Sequence, residues 1–218
     1  METGKLSADH LVQLLDEYKG AIRPDVLMAG KLGEDCSYIK VADQTLVLST
    51  DPVTAAESDL GTIAFNINMN DIATSGAEGV GLLITILLPP DSEKKILDTI
   101  MKELHDLCLA HNIQILGGHT EVTDSVNRPI VSVTAVGKIP YGEEIYSKGL
   151  KVGDSLVVSK ALGIEGTMIL ADVRKETAKK VLTQEELTLI NGFKDQMSVI
   201  PEGRIGKKLG VHSMHDIT

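Results

Sequence analysis

The sequence of 218 residues predicts an α+β fold, with a first domain over residues 1–140 and a second unit that begins near residue 150. In the first domain, apolar residues form strand-like runs joined as hairpins, and they recur at helical spacing between those runs. The order to residue 139 is α, β, β, α, β, α, β, β, which differs from the regular alternation of a doubly wound sheet. Apolar residues make up 43% of the chain and aromatic residues 3%, so we expect an aliphatic core.

The elements of the first domain follow from capping residues and from the period of the apolar residues. Ser7 and Asp59 stand where two helices begin. Ile96 and Ile100 recur at helical spacing in the clearest helix, and Cys108 lies on the same face, which predicts a core thiol. The predicted elements are helices over 8–18, 59–75 and 92–111, strands over 36–41, 45–50, 79–88, 113–116 and 129–139, and a polar loop over 117–127.

The second unit follows a boundary at Pro140. Its predicted elements are strands over 155–160 and 211–217, a glycine-rich segment over 162–167, and helices over 185–191 and 205–209. So small a unit with one or two strands buries little surface. We therefore expect residues 150–218 to be the start of an α/β domain that is truncated or completed by a partner.

Charge and cysteine content exclude several classes of function. The chain has 21 Lys and Arg against 31 Asp and Glu, a net charge of -10, which opposes binding to nucleic acid or to an anionic membrane. No apolar run approaches the roughly 18 residues of a membrane helix. Cys36 and Cys108 have neither a disulfide framework nor the spacing of zinc ligands, so we expect a cytoplasmic protein.

Three carboxylates stand at positions where a carboxylate is unusual. Asp35 ends a glycine-rich loop, Asp51 follows a strand, and Asp71 lies in a mostly apolar helix. Asn70 and Asp71 continue the line of Ile63 toward the interior, where a polar pair requires partners. Each Asp alone is typical of turn or capping chemistry, but together they indicate a site for a hard cation such as Mg²⁺.

The segment from Gly117 to Glu121, Gly-Gly-His-Thr-Glu, is a second candidate site. Adjacent glycines allow a backbone to approach a ligand closely, and the chain has no P-loop. Thr120 could meet a phosphate, Glu121 a metal, and His119 could be a general acid or base; the alternative is an ordinary solvated loop. In a C-terminal strand His212 and His215 would point to opposite faces, which argues against a shared metal.

Taken in order, the motifs identify a family resemblance. They are Gly33-Glu-Asp-Cys36, Ser49-Thr-Asp51, Asn70-Asp71 followed by Ser75-Gly-Ala77, Gly117-Gly-His-Thr120, Val152-Gly-Asp154 and His215-Asp-Ile-Thr218. This set resembles the superfamily of aminoimidazole ribonucleotide (AIR) synthase, selenophosphate synthetase, thiamine-monophosphate kinase and the hydrogenase-maturation protein HypE. The runs Gly-Gly-His-Thr-Glu-Val-Thr and Ser-Thr-Asp-Pro are most similar to its AIR-synthase-related, HypE-like branch.

The resemblance implies a fold, a dimer and a set of site residues. The mixed sheet of an AIR-synthase-like N-terminal domain would pair with a second copy as a β-barrel homodimer, an α/β domain would follow, and ATP would lie near the dimer interface. Mg²⁺ would be held by Asp35, Asp51, Asp71 and Asp216. Nucleotide contacts would come from Asn70, Gly117, Gly118, His119 and Thr120. No catalytic residue is assigned, and His119 and Glu121 are the candidates.

The resemblance also implies a chemistry, in which ATP phosphorylates an amide-like oxygen that then departs as phosphate. In a HypE-like protein the acceptor would be an S-carbamoylated cysteine, carried at the protein's own C-terminal tail and dehydrated toward a thiocyanate, and a carbamoyl-transfer maturation partner would be expected. The alternatives are a small-molecule synthase or kinase of the same fold and a catalytically silent dimeric scaffold. Glu34 and Cys36 depart from the family pattern. The chain lacks the glycine-rich run after Thr218 and a C-terminal substrate cysteine, so we expect weak activity and no dehydration in cis.

Overall fold

The computed structural model describes residues 4–217 and places one six-stranded mixed sheet against a buried helix. The strands are β1 Val26–Met28, β2 Ser37–Val41, β3 Gln44–Val53, β4 Glu78–Leu88, β5 Gln114–Val122 and β6 Ile130–Pro140. The helices are α1 Ala8–Glu17, α2 Leu60–Thr74, α3 Lys94–His111, α4 Ile164–Val173, α5 Lys175–Val181, α6 Gln184–Asn191 and α7 Ile200–Leu209, with a 3-10 helix over Gly192–Gln196. None of the helices within residues 4–217 is long and apolar enough to span a membrane.

The sheet has the order β1-β2-β3-β6-β4-β5. Strands β4 and β5 are parallel and are joined through α3, whereas every other neighbouring pair is antiparallel. The α+β prediction is confirmed, as are the strands predicted over 36–41, 45–50, 79–88 and 129–139. The three-residue strand β1 was not predicted, because so short a segment carries no apolar period.

Helix α2 is the centre of the core. All of its residues except Thr62 are buried, because β3, β6, α3 and α7 surround it. The predicted helix over 59–75 is confirmed, but its predicted capping is wrong. Asp59 adopts a left-handed conformation with φ 51° and makes no capping hydrogen bond. Instead Glu103 Oε2, from α3, accepts hydrogen bonds from the Gly61 N–H at 2.8 Å and the Thr62 N–H at 3.1 Å.

The predicted loop over 117–127 is wrong in its first half, because β5 continues to Val122. Residues 117–122 pair with β4 in parallel register. Gly118 makes this approach possible: it has φ 144°, and a Cβ placed there would lie 1.8 Å from the carbonyl oxygen of Ile84. Gly118 therefore has a structural reason to be present.

The second unit is helical. In the described residues after Pro140 there is no strand, so the strands predicted over 155–160 and 211–217 are wrong. Leu156 and Val157 are each 84% exposed and have no neighbouring strand to pair with, which is the physical reason. The helix predicted over 185–191 corresponds to α6 and the one over 205–209 to the end of α7, whereas α4 and α5 were not predicted.

The linker over 141–149 holds the C-terminal segment against the glycine-rich loop that precedes β2. Ile145 donates its N–H to the Ser75 carbonyl at 3.0 Å and accepts from the Tyr38 hydroxyl at 3.1 Å. Gly149 passes so close to His212 that a Cβ there would lie 1.8 Å from the His212 carbonyl oxygen. This packing brings residues 212–216 beside residues 33–36.

Candidate metal centre

Four carboxylates predicted from the sequence come together from four separate elements. Asp35 lies in the loop before β2, Asp51 in β3, Asp71 in α2 and Asp216 beyond α7. Burial raises the pKa of each of them. The charges of Asp216, Asp35 and Asp51 raise the pKa of Asp71 further, so each of these three groups lies close enough to Asp71 to repel it.

Asp71 is held in the cluster by hydrogen bonds to its neighbours. Its Oδ2 accepts a hydrogen bond from the Ser49 hydroxyl, which opposes the effect of burial on its pKa. Its carbonyl oxygen accepts from the Cys36 thiol at 3.3 Å. Burial, followed by the charges of Asp71 and Asp35, raises the pKa of Cys36. The thiol is therefore kept protonated beside the carboxylates, which argues for a packing role.

Asp51 is positioned by Asn68, a residue that was not predicted from the sequence. The Asn68 Oδ1 accepts from the Asp51 N–H at 2.9 Å, and its Nδ2 donates to the carbonyls of Asp51 at 3.3 Å and Ala64 at 2.9 Å. Asn68 is fully buried. A signal was present, because buried amides are rare in apolar helices and α2 contains three Asn residues.

Asp35 and Asp216 are bridged by His215. The His215 Nδ1 lies 3.0 Å from Asp35 Oδ2 and 3.6 Å from Asp216 Oδ1. Asp35 Oδ2 also accepts from the Ser147 hydroxyl at 3.2 Å. The Asp216 side chain is only 3% exposed, and its Oδ2 has no hydrogen-bond partner. Asp216 is therefore buried, and Thr218, at the end of its motif, lies outside the described residues.

A fifth carboxylate, Glu165, lies near the same cluster and was not predicted from the sequence. It lies in the first turn of α4, in a segment that was interpreted only as glycine-rich. Its Oε2 is buried without a hydrogen-bond partner. Burial raises the pKa of Glu165, the charges of Asp216 and Asp51 raise it further, and Lys5 lowers it. The cluster thus receives carboxylates from both units of the chain.

Glu34, which departs from the family pattern, contacts the linker over 141–149. Its side chain is 2% exposed, its Oε2 accepts from the Ser147 N–H at 3.1 Å, and its Oε1 lies 3.7 Å from the Lys148 Nζ. Neighbouring Asp35, by contrast, belongs to the group of donor atoms that lie within 4.8 Å of one another. The departure at 34 therefore leaves the carboxylate at 35 in place.

The predicted nucleotide contact Asn70, which precedes Asp71 in α2, has its hydrogen-bond partners outside the carboxylate cluster. Asn70 is buried as expected, but its Nδ2 donates to the Met197 carbonyl at 2.9 Å and its Oδ1 accepts from the Val199 N–H at 2.8 Å. It ties α2 to the segment before α7, and a nucleotide contact remains a prediction.

The segment containing Gly117, Gly118, His119, Thr120 and Glu121 lies on the exposed edge strand β5. In the sheet order β5 is three strands away from β3, roughly 14 Å at ordinary strand spacing. The imidazole of His119 is 3.1 Å from the carboxylate of Glu121, and both side chains are exposed. One copy of the chain does not bring this segment to the carboxylates.

The two C-terminal histidines have different partners. His212 Nδ1 lies 2.9 Å from both carboxylate oxygens of Asp154, whereas His215 contacts Asp35 and Asp216. The prediction that they do not share a metal agrees with this arrangement. The alternation of a strand is not the cause, because the segment is not a strand.

A cavity of about 370 Å³ reaches Asp35, alone among the four clustered carboxylates. Its lining includes Asp35, Cys36, Ser49, Thr50 and Thr134. A second cavity of about 470 Å³ lies elsewhere, lined in part by Ala73, His111 and Arg204, and none of the clustered carboxylates reaches it. The first cavity is the one whose chemistry matches the site.

Comparison with known proteins connects this arrangement to a family. Residues 33–139 match the family model described as AIR synthase related protein, N-terminal domain. A hydrogenase expression/formation protein of Methanocaldococcus jannaschii is 27% identical over 142 residues, which cover 63% of this chain and 42% of that protein. A selenide, water dikinase of the same organism is 28% identical over an alignment of 223 positions, which covers 92% of this chain and 62% of that protein. The chain spans between 42% and 62% of the length of these two relatives.

Solved structures share the fold. The structure of AaThiL complexed with AMPPCP and TMP has a TM-score of 0.73 at 20% identity and covers 95% of this chain and 66% of that one. A HypE-HypF complex has a TM-score of 0.56 at 19% identity and covers 67% of this chain and 48% of that one. These likenesses establish the architecture, and the residues of the site carry the argument about chemistry.

Proposed function

Residues 33–139 of this chain form an AIR synthase-related N-terminal domain, and from that membership we propose that the chain binds ATP together with a divalent cation and transfers the terminal phosphoryl group to an amide-like oxygen. The cation would be held by Asp35, Asp51, Asp71 and Asp216, and Mg²⁺ is the ion that the family resemblance implies. A bound cation would neutralise the charge that develops during phosphoryl transfer.

The convergence of these carboxylates is the observation that carries the proposal. Several ionised carboxylates held together away from water repel one another, and each costs several kcal/mol if it is left unpaired. Within residues 4–217, positive charge that lowers the pKa values of these carboxylates comes from His215 and Lys5. Asp216 Oδ2 is buried without a hydrogen-bond donor. A divalent cation would supply the missing positive charge and would coordinate that oxygen. Carboxylate oxygens are ligands that Mg²⁺ accepts.

We further propose that a second copy of the chain completes the nucleotide site. The Gly117 to Glu121 segment is exposed along the sheet edge, and one copy leaves it far from the carboxylates. On the same sheet, Leu83 is 43% exposed and Leu116 is 46% exposed. An exposed edge and apolar side chains favour association, which agrees with the homodimer predicted from the sequence. Light scattering at micromolar concentration tests this, and a monomer would contradict it.

The HypE-like acceptor is the finer form of the proposal. It is supported by the similarity to the hydrogenase expression/formation protein and by the runs Gly-Gly-His-Thr-Glu-Val-Thr and Ser-Thr-Asp-Pro. ATP would phosphorylate the carbamoyl oxygen of a thiocarbamate, and loss of phosphate and a proton would leave a thiocyanate. A carbamoyl-transfer maturation partner would accompany this chemistry, in keeping with the HypE-HypF complex among the similar structures.

A small-molecule kinase is the second candidate. It is favoured by the extent of two matches, since AaThiL covers 95% of this chain and the selenide, water dikinase covers 92%. A third candidate, a silent dimeric scaffold, requires no turnover. An assay of ATP consumption separates the three candidates. Stimulation by an S-carbamoylated cysteine peptide favours the first, stimulation by thiamine monophosphate or selenide favours the second, and no turnover favours the scaffold.

Calorimetry of Mg²⁺ and ATP tests the site itself. We expect Asp51→Asn and Asp71→Asn each to weaken binding of Mg·ATP by at least about tenfold, because each removes a cation ligand. Folding should be unchanged or slightly more stable, since each change relieves repulsion. Asp106→Asn, which alters an exposed carboxylate paired with Lys102, is the matched control. Unchanged affinity in both site variants would refute the assignment.

A further inference from the structure

Three donor atoms in the candidate metal centre are arranged as a compact set that includes a nitrogen. One ligand atom from each of Asp35, His215 and Asp216 lies within 4.8 Å of the other two. The His215 Nδ1 is 3.0 Å from Asp35 Oδ2 and 3.6 Å from Asp216 Oδ1. Neighbouring ligands around a six-coordinate ion with bonds of roughly 2.1 Å are themselves separated by about 3.0 Å. The observed separations are therefore those of side chains that can reach one ion.

A second observation indicates that something is to be bound there. The Asp216 side chain is 3% exposed, yet its Oδ2 has no hydrogen-bond partner. Its Oδ1 lies 3.6 Å from the His215 Nδ1, so one oxygen of this carboxylate belongs to the group and the other has no donor from the protein. A buried carboxylate oxygen without a donor is unfavourable, and it is explained by a ligand that the protein itself does not provide.

The other His–Asp pair of the chain shows the features of a purely structural contact. His212 Nδ1 lies 2.9 Å from both oxygens of Asp154. Asp154 Oδ2 also accepts from the Lys151 N–H at 2.8 Å, and its side chain is 22% exposed, so it has a protein donor and access to water. No second carboxylate is grouped with that pair in the described part of the chain. The Asp35, His215 and Asp216 set differs in having an additional, buried and unsatisfied oxygen.

We propose that His215 is a metal ligand, and that the Asp35, His215 and Asp216 set binds a divalent transition metal in preference to Mg²⁺. Mg²⁺ prefers oxygen ligands and retains its waters, whereas imidazole nitrogen suits ions such as Fe²⁺, Co²⁺ and Zn²⁺. This inference rests on the proposed function for the position of the site and adds the identity of its metal. His215 is 56% exposed at its side chain, so the ring can rotate toward an ion without rearrangement of the core.

The test compares Co²⁺ with Mg²⁺ on the full chain, by calorimetry and by the visible absorption of bound Co²⁺, which reports nitrogen coordination. The wild-type protein should bind Co²⁺ at least about tenfold more tightly than Mg²⁺. His215→Ala should lower the Co²⁺ affinity by at least about tenfold, the loss that is typical of disturbed metal sites. Its Mg²⁺ affinity should change by less than about twofold. His212→Ala is the matched control and should retain both affinities.

The outcomes separate this inference from the proposed function. If the wild-type protein binds neither ion, the metal centre of the proposed function fails. If it binds both ions and His215→Ala leaves the Co²⁺ to Mg²⁺ affinity ratio and the absorption spectrum unchanged, His215 is not a ligand and only this inference is overturned. Loss of Co²⁺ binding in His212→Ala instead would also overturn it. Circular dichroism of each variant establishes that the chain is folded.

Discussion

The side chain of Asn68 takes the place of a neighbouring β-strand for Asp51. It accepts from the Asp51 N–H at 2.9 Å and donates to the Asp51 carbonyl at 3.3 Å. Strand β2 pairs with β3 only as far as Leu48, so this edge of β3 has no strand partner at Asp51 within the described residues. The Asn68 amide, from α2, therefore fixes the position of the Asp51 backbone and with it the position of the Asp51 carboxylate in the cluster.

Removing that amide should destabilise the protein. We expect Asn68→Ala to lower the free energy of unfolding by about 3 kcal/mol, because it leaves buried backbone groups of Asp51 without partners. Asn66→Ala is the control, since Asn66 is also buried in α2 but donates only to the Thr62 carbonyl within its own helix. Asn66→Ala should lower the free energy of unfolding by about 1 kcal/mol. Urea denaturation measures both, and equal losses would contradict the special role of Asn68.

The stability of the metal-free protein should fall as pH rises. Burial raises the pKa of Asp35, Asp51, Asp71 and Asp216 in the folded chain, so the folded state binds more protons than the unfolded state. The stabilising contribution is complete below the unfolded value of about 4, and it is lost as pH rises through the higher folded values. Each unit of raised pKa corresponds to about 1.4 kcal/mol.

Thermal unfolding between pH 4 and pH 8 measures this dependence. Mg²⁺ should stabilise the protein more at the upper end, because a cation binds the ionised carboxylates and competes with protons. Asp71→Asn should flatten the profile, whereas Asp106→Asn, at the surface, should leave it unchanged. A metal-free protein that becomes steadily more stable over this range would show that the carboxylates are not buried together.

Glu165 should contribute to cation binding from the second unit. Its buried Oε2 has no donor, and the charges of Asp216 and Asp51 raise its pKa. We expect Glu165→Gln to raise the thermal midpoint of the metal-free protein by a few degrees and to weaken divalent cation binding by about tenfold. Glu185→Gln, in the exposed first turn of α6, should do neither. If both variants respond alike in melts with and without Mg²⁺, Glu165 is not part of the centre.

Gly118 should be required for folding whether or not it contacts a nucleotide. A Cβ there would lie 1.8 Å from the Ile84 carbonyl, and φ is 144°. Gly118→Ala should therefore cost about 3 kcal/mol or more by disrupting the pairing of β4 and β5. Gly166→Ala, in α4, is the control. No atom lies within 4 Å of the added Cβ, and alanine has a higher helix propensity than glycine. Chemical denaturation in which the two variants are equally stable would contradict the close contact.

Local sequence was sufficient for much of the fold. The helix predicted over 59–75 and the strands predicted over 36–41, 79–88 and 129–139 all appear in the structure, because burial patterns and breakers such as Gly76 are properties of neighbouring residues. Sequence also selected Asp35, Asp51, Asp71 and Asp216, since a carboxylate in an apolar or glycine-rich setting stands out and the family motifs have the same order.

Tertiary structure decided the rest, because it depends on neighbours that are distant in the chain. Residues 155–160 have the composition of a strand but no described strand beside them, whereas 117–122 have the composition of a loop but lie next to β4 and so form β5. Asn68 and Glu165 acquire their roles only where α2 and α4 meet the cluster. A strand, a buried amide and a shared cation site each require a partner, and only the folded chain determines which partner is within reach.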